Sequence, residues 1–228
     1  MAKKTTRAEE NIQAVEEALS KTEYFIEKNQ NPILIVIGML VIVILAYMGF
    51  NQFYLKPQEK KAQEQVFMAE KYFETDSLNL ALNGDGLYPG FLDIMDDYKW
   101  TKTANLAKYY SGIIYMKKGE YETVIAYLED FDGDDEMVQA MAIGAIGDSY
   151  MELGKPNKAV AFYLEAANVS TNDITSPPFL MKAGWTYEIN GEYSKAAEVY
   201  KKIKTEFSKS QEARDIDKFI AHAEGMSK

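Results

Sequence analysis

The pattern of apolar and polar positions divides the chain at one stretch. From Ile33 to Phe50 it reads ILIVIGMLVIVILAYMGF without a charge, and the nearest charges are Lys28 before it and Lys56 after it. A helix rises about 1.5 Å per residue and the hydrocarbon core of a bilayer is about 30 Å thick, so about 20 apolar residues span it. With its flanks from Asn31 to Tyr54 the stretch is long enough, and helices of soluble cores are seldom apolar all round for so long. Pro32 suits a first helical turn, and Tyr24, Phe25, Tyr47, Phe53 and Tyr54 stand where interfacial rings stand. Lys56 can snorkel, and Pro57 is expected to stop the helix. The run is too long and starts too late for a cleaved signal peptide, and no small-x-small site follows it. The pattern predicts a retained anchor over 31–55, a helical tail over 1–30 and one folded domain over 56–228.

In the tail, Ile12, Val15, Leu19, Thr22 and Ile26 recur at helical spacing between glutamates, which predicts one amphipathic helix from Thr6 to Asn29. Its narrow stripe cannot make a domain. It fits a helix lying along a membrane, and equally a docking segment for a membrane partner. After the anchor, Val66, Ala69, Phe73, Leu78 and Leu82 predict a helix from Gln58 to about Leu82, ended by the turn Asn83-Gly84-Asp85-Gly86. A short helix from Phe91 to about Tyr98 follows Pro89-Gly90. From Thr103 helix succeeds helix across short Gly, Asp or Pro turns, and no period-two alternation persists. The fold class is all-α.

An internal repeat organises this region. Gly112-x-x-Tyr115-x-x-x-Gly119-x-Tyr121 recurs as Gly147-x-x-Tyr150-x-x-x-Gly154 and as Gly184-x-x-Tyr187-x-x-x-Gly191-x-Tyr193, at spacings of 35 and 37 residues. Val124 and Leu128, then Ala159, Tyr163 and Ala166, then Ala196 and Tyr200 follow in the three units. The first glycine is expected to let two antiparallel helices approach, and the tyrosine three residues on to cover that contact. The second glycine ends the first helix in a left-handed cap. Ala159 and Ala196 are expected at the helix crossing, with the aromatic four residues on packing against the next unit. The pattern resembles the tetratricopeptide repeat, whose period is about 34 residues. That likeness implies a helical solenoid with repeats over about 105–138, 140–173 and 177–210. A capping helix over 210–226 would carry Ala213, Ile216, Ile220 and Ala223. The region before Thr103 has room for another, poorly matching pair.

Charge and chemistry narrow the function. The formal net charge is −10, of which the tail to Lys28 carries −1. The acidic domain argues against nucleic acid and anionic lipid surfaces as partners. The chain has no cysteine, which excludes disulfides, thiol catalysis and a lipid anchor on cysteine. His222 is the only histidine, so no Ser/His/Asp set is possible beyond that one residue, and no zinc site of histidines and cysteines can be assembled. The run from Glu129 to Glu136 fails as an EF-hand, because positions six and twelve counted from Asp130 are Asp135 and Met141. It reads as a turn whose carboxylates cap the next helix. No catalytic, cofactor or metal residue is expected, and the protein is read as a non-enzyme.

Topology follows from two opposed signals. Lys56, Lys60, Lys61 and Lys71 follow the anchor, whereas only Lys21 and Lys28 precede it closely. Long domains, however, cross largely regardless of charge, and a short tail with five bases is hard to export. The expected arrangement is a cytoplasmic tail and an exported domain.

The tetratricopeptide likeness implies a groove lined by the first helix of each unit. Its candidate residues are Tyr109, Ile113, Met116, Met141, Gly144, Asp148, Met151, Met181, Trp185 and Glu188. Methionine-rich surfaces adapt to varied partners, although the same residues would also serve simply to pack the stack. Relatives that bind chaperone tails clamp a carboxylate with Lys and Asn. This chain has Tyr109, Ile113 and Ala145 instead.

Tail, anchor and acidic repeat domain together resemble the YfgM-like bacterial family. The likeness is carried by Thr101-Lys102-Thr103-Ala104-Asn105-Leu106-Ala107-Lys108-Tyr109-Tyr110, by Gly144-Ala145-Ile146-Gly147-Asp148-Ser149-Tyr150-Met151-Glu152-Leu153-Gly154 and by Pro178-Phe179-Leu180-Met181-Lys182-Ala183-Gly184. It implies an ancillary subunit of the SecYEG translocon in the bacterial inner membrane. Its periplasmic groove would engage a membrane-anchored chaperone of the peptidyl-prolyl isomerase type, or an emerging secreted chain. The alternative is a membrane-tethered scaffold of another envelope complex, for secretion, division or motility.

Overall fold

The computed structural model describes residues 23–227, in two units divided between Pro57 and Gln58. The first contains a helical stretch over 23–28 and then α1, Gln30–Phe50. No residue of α1 is buried, and it is long and apolar enough to cross a membrane. One turn of π-helix, Asn51–Leu55, follows, in which the Lys56 N–H reaches back five residues to the Asn51 carbonyl. Phe50 and Tyr54 stack across it at 5.1 Å.

Pro57 does not stop the helix as expected. It is the second residue of α2, Lys56–Glu74. A proline lacks the N–H and crowds the carbonyl four residues back, and the widened turn before it relieves both. The expected amphipathic helix of the tail falls outside the described residues as far as Thr22. Within them, Ile26 is exposed.

The second unit continues from α2 through α3 (Leu78–Asn83), α4 (Phe91–Asp97), α5 (Lys102–Lys118), α6 (Tyr121–Glu129), α7 (Glu136–Glu152), α8 (Pro156–Val169), α9 (Ser176–Ile189) and α10 (Tyr193–Glu206). A 3-10 turn, Glu212–Asp215, leads into α11, Ile216–Met226. No strand occurs among the described residues. Four apolar clusters succeed one another along the unit, from Val66, Leu82 and Phe91 at one end to Tyr200, Ile203 and Ile216 at the other. Ala213, Ile216, Ile220 and Ala223 of the last turn and α11 all pack against the last of them.

The repeat signature acquires a geometric meaning here. Gly119, Gly154 and Gly191 have φ of 76°, 66° and 73°. In each case the next N–H (of Glu120, Lys155 or Glu192) returns at 2.8–3.0 Å to the carbonyl of Tyr115, Tyr150 or Tyr187. This is a Schellman closure, and it requires a left-handed residue that glycine adopts without strain.

The tyrosine three residues after the first glycine does not cover the helix crossing, as was expected. It lies on the second helix beside it, where Tyr115 stacks on Tyr127 and Tyr150 on Phe162, both at 5.3 Å. The crossing itself belongs to a residue 16 positions after the glycine. A Cβ on Gly112 would fall 2.5 Å from Leu128, one on Gly147 2.7 Å from Tyr163, and one on Gly184 2.1 Å from Tyr200. Tyr163 and Tyr200 therefore fill their own unit, not only the junction with the next.

A single helix from Gln58 to Leu82 was expected, and the chain forms two. Asp76 has φ of 57°, and Ser77 N–H returns 2.8 Å to the Tyr72 carbonyl. This is the same closure, with Asp76 in place of glycine. Counting from it, Ala69, Tyr72, Asp76 and Ala81 occupy the register of Gly112, Tyr115, Gly119 and Val124. Ala81, Val124, Ala159 and Ala196 are all 0% exposed at the same step of the repeat. The poorly matching pair is thus a first repeat unit, whose second helix is split by the loop between Asn83 and Phe91. Asp85 organises that loop. Its carboxylate accepts the N–H of Tyr88, the Tyr72 hydroxyl and the N–H of Leu87, and these bonds, the Tyr88 one foremost, hold its pKa below the ordinary value.

Candidate partner-binding groove

The first helices of successive units, α2, α5, α7 and α9, lie side by side. Glu59 of α2 accepts the Lys102 N–H at 2.7 Å and the Thr103 hydroxyl at 2.8 Å, so a side chain from the first repeat caps the first helix of the second repeat. Thr101 adds the local cap, accepting the Ala104 N–H at 3.0 Å. Between α7 and α9 the contact is closer. Phe179 lies on Gly144 so tightly that a Cβ there would sit 2.1 Å from its ring. Gly144 is therefore a packing position and not part of an open lining.

The candidate lining residues divide into open and enclosed groups. Met141 and Trp185 are open, at 49% and 45% exposure. The Trp185 ring also approaches Phe219 of α11, at 6.3 Å between centroids. Tyr109, Ile113 and Met116 are half-buried against the cluster of α6 and α7. The Tyr109 ring lies 5.5 Å from Phe131, and burial raises its pKa. Met151 is half-buried, with the Thr186 hydroxyl 3.7 Å from its sulfur. Met181 is 6% exposed inside the last cluster with Leu180 and Tyr200, so its side chain packs the stack.

The two acidic candidates are engaged inside the protein. Asp148 accepts the Tyr163 hydroxyl at 2.7 Å and both of its oxygens lie 2.7 Å from the Lys182 ammonium. Lys182, which the sequence did not single out, also stands over the rings of Tyr163 and Phe179. Burial first, and then Asp148, raise the Tyr163 pKa far above the ordinary phenol range. Glu188 faces Tyr200 and raises its pKa after burial does. The two groups do not align into a full hydrogen bond, since Glu188 Oε1 and the Tyr200 hydroxyl are both buried without a partner.

The acidic run before α7 is structural. Asp135 caps that helix through the N–H groups of Met137 and Val138. Asp130 pairs with Lys108 at 2.6 Å, and Asp134 with Lys102. Lys102, Lys108, Asp134 and the Phe131 ring border an open cavity of about 450 Å³ beside Trp100 and Val138. His222 is exposed on α11, with Tyr193 at its edge.

Comparison with known proteins agrees with this geometry. The tetratricopeptide repeat family model matches residues 142–173, which cover most of α7, all of α8 and the turn after them. Two solved structures described as a Podosopora anserina putative kinesin light chain with nearly identical TPR-like repeats share the architecture. One, a form carrying a single substitution, has a TM-score of 0.51 at 14% identity, over 73% of this chain and 86% of that one. The other has a TM-score of 0.51 at 12% identity, over 73% and 87%. No curated protein sequence matches the chain. At such identities the likeness speaks for the fold alone. The second unit is a solenoid of tetratricopeptide-like helical pairs, an architecture whose usual work is to hold other proteins.

Proposed function

We propose that the protein is a non-enzymatic, single-pass membrane adaptor of the Sec translocation machinery. The anchor over 31–55 would sit in the bacterial inner membrane, with the tail over 1–30 in the cytoplasm and the domain over 56–228 in the periplasm. The groove of the first helices would engage a membrane-anchored chaperone of the peptidyl-prolyl isomerase type, or a secreted chain emerging from SecYEG. The observation that carries this reading is one conjunction. A charge-free, membrane-length apolar helix with no buried residue precedes a repeat solenoid in a single chain.

Protease treatment of intact spheroplasts tests the topology. Digestion of the C-terminal domain, with cytoplasmic controls protected, is the expected result. Protection until the membrane is opened would end the periplasmic reading. Complexes purified after crosslinking are expected to contain translocon subunits, and their consistent absence would end the Sec assignment. The lysines after the anchor, Lys56, Lys60 and Lys61, favour a second reading in that event, a membrane-tethered scaffold of another envelope complex.

A further inference from the structure

Each junction between neighbouring first helices brings together the residue after one crossing position and the residue two before the next. Between the third and fourth units these are Asp148 and Lys182, a closed ion pair with the ammonium 2.7 Å from both carboxylate oxygens. Between the second and third they are Ile113 and Ala145, which share an apolar cluster. Between the first and second they are Glu70 and Tyr110. The carboxylate is present there and the cation is missing.

Glu70 is half-buried and makes no side-chain hydrogen bond or ion pair among the described residues. Burial, and then the charge of Glu74 one turn on, raise its pKa. The nearby cations are engaged elsewhere: Lys102 with Asp134, Lys117 with Asp76, and Lys71 with Glu74. Beside Glu70 a cavity of about 390 Å³ opens between α2 and α5, walled by Val66, Leu106, Ala107 and Tyr110, with Glu59 and Lys102 also on its lining. A carboxylate withdrawn from water without a countercharge is costly, and a cation from outside would relieve it. The walls suit a long basic side chain, whose methylene stem packs on apolar surface while its charged head meets a carboxylate and an aromatic ring.

We propose that this junction is a docking site for a lysine or arginine side chain of a protein partner, the external counterpart of Lys182. The stem would lie along Val66, Leu106 and Ala107, and the head would reach Glu70 beside the Tyr110 ring. The acidic domain would draw such a partner in. The proposal rests on the protein-interaction reading, and it depends neither on the side of the membrane nor on the translocon.

The full-length protein in neutral detergent is titrated against two fluorescein-labelled peptides, Ala-Leu-Arg-Leu-Ala and the same sequence with neutral citrulline at the centre, and anisotropy is read. The arginine peptide is expected to bind at least about tenfold more tightly than the citrulline peptide. Glu70→Gln should bring the two to the same level, whereas Asp148→Asn should leave the contrast intact. Tyr110→Lys, which supplies an internal cation where Lys182 stands two units on, should also remove the contrast. Thermal unfolding identifies any variant that fails to fold, and either Glu70→Gln or Tyr110→Lys suffices. Equal binding of the two peptides, no binding of the arginine peptide up to about 1 mM, or a contrast that survives Glu70→Gln would overturn the proposal. Absence of translocon subunits from purified complexes would bear on the Sec assignment alone.

Discussion

The third and fourth units cross their helices at the same register, a glycine against a tyrosine, yet the two tyrosines are in different states. Tyr163 packs on Gly147 and donates to Asp148 at 2.7 Å. Tyr200 packs on Gly184 more closely still, and its hydroxyl is buried without a hydrogen bond. The steric half of the motif therefore belongs to the repeat, because two helices at this spacing leave no room for a Cβ under a ring. The polar half does not. It depends on whether a neighbour on the first helix happens to reach the hydroxyl. Asp148, directly after Gly147, does. Glu188, four residues after Gly184, faces the ring without completing the bond.

The second unit extends the contrast. Leu128 takes the place of the ring, and its terminal methyls can move. Gly184→Ala is expected to destabilise the protein most, by about 3 kcal/mol, since overpacking a well-filled crossing costs about 1–3 kcal/mol. Gly112→Ala should cost about 1 kcal/mol or less by the same reasoning. Urea unfolding of the detergent-solubilised protein, followed by circular dichroism, measures both. Equal losses would mean that the glycines serve something other than the crossing. Tyr200→Leu in the Gly184→Ala background should recover part of the loss.

Removing each hydroxyl separates the polar halves. Tyr163→Phe breaks a made hydrogen bond and leaves Asp148 with Lys182 alone, and it should cost about 1 kcal/mol. Tyr200→Phe removes an unsatisfied buried group and should be neutral or stabilising by about 1 kcal/mol. Opposite signs in the same unfolding assay would bear out the difference between the two tyrosines, and equal signs would erase it.

The smallest effect is expected at the first unit. Asp76→Gly relieves a left-handed residue that carries a Cβ, which costs about 1 kcal/mol. It also removes an ion pair to Lys117 whose partners are 46% and 71% exposed, an interaction worth less than about 1 kcal/mol. A net gain of a few tenths of a kcal/mol is expected. A loss would show that the Lys117 pair matters more to this closure than backbone strain does.

Much of the molecule was legible in local pattern. The uninterrupted apolar run defined α1, and the left-handed glycines marked the ends of three first helices. The first unit was hidden because Ala69 and Asp76 stand where the pattern has glycine. The residue 16 positions after Ala69 is Asp85, which lies in the loop that splits the second helix, so the first unit lacks the crossing residue of the other three. Lys182 was passed over because a lysine two residues before a glycine has no local signature. Its role exists only across the junction with Asp148.

Local sequence dictated the elements: an apolar helix of membrane length, an all-α domain, the three glycine-marked units and a closing helix. These follow from periodicity and from backbone preferences that act within a few residues. What each side chain meets was settled by tertiary packing alone. That packing placed Met181 inside the stack and Met141 outside, and gave the crossing to Tyr163 and Tyr200 and not to Tyr150 and Tyr187. It left Glu70 facing a tyrosine where Asp148 faces a lysine. Those pairings are set by the rotation and spacing of helices brought together across 16 residues at the crossings and 34 at the Asp148–Lys182 junction, distances at which local preference has no hold.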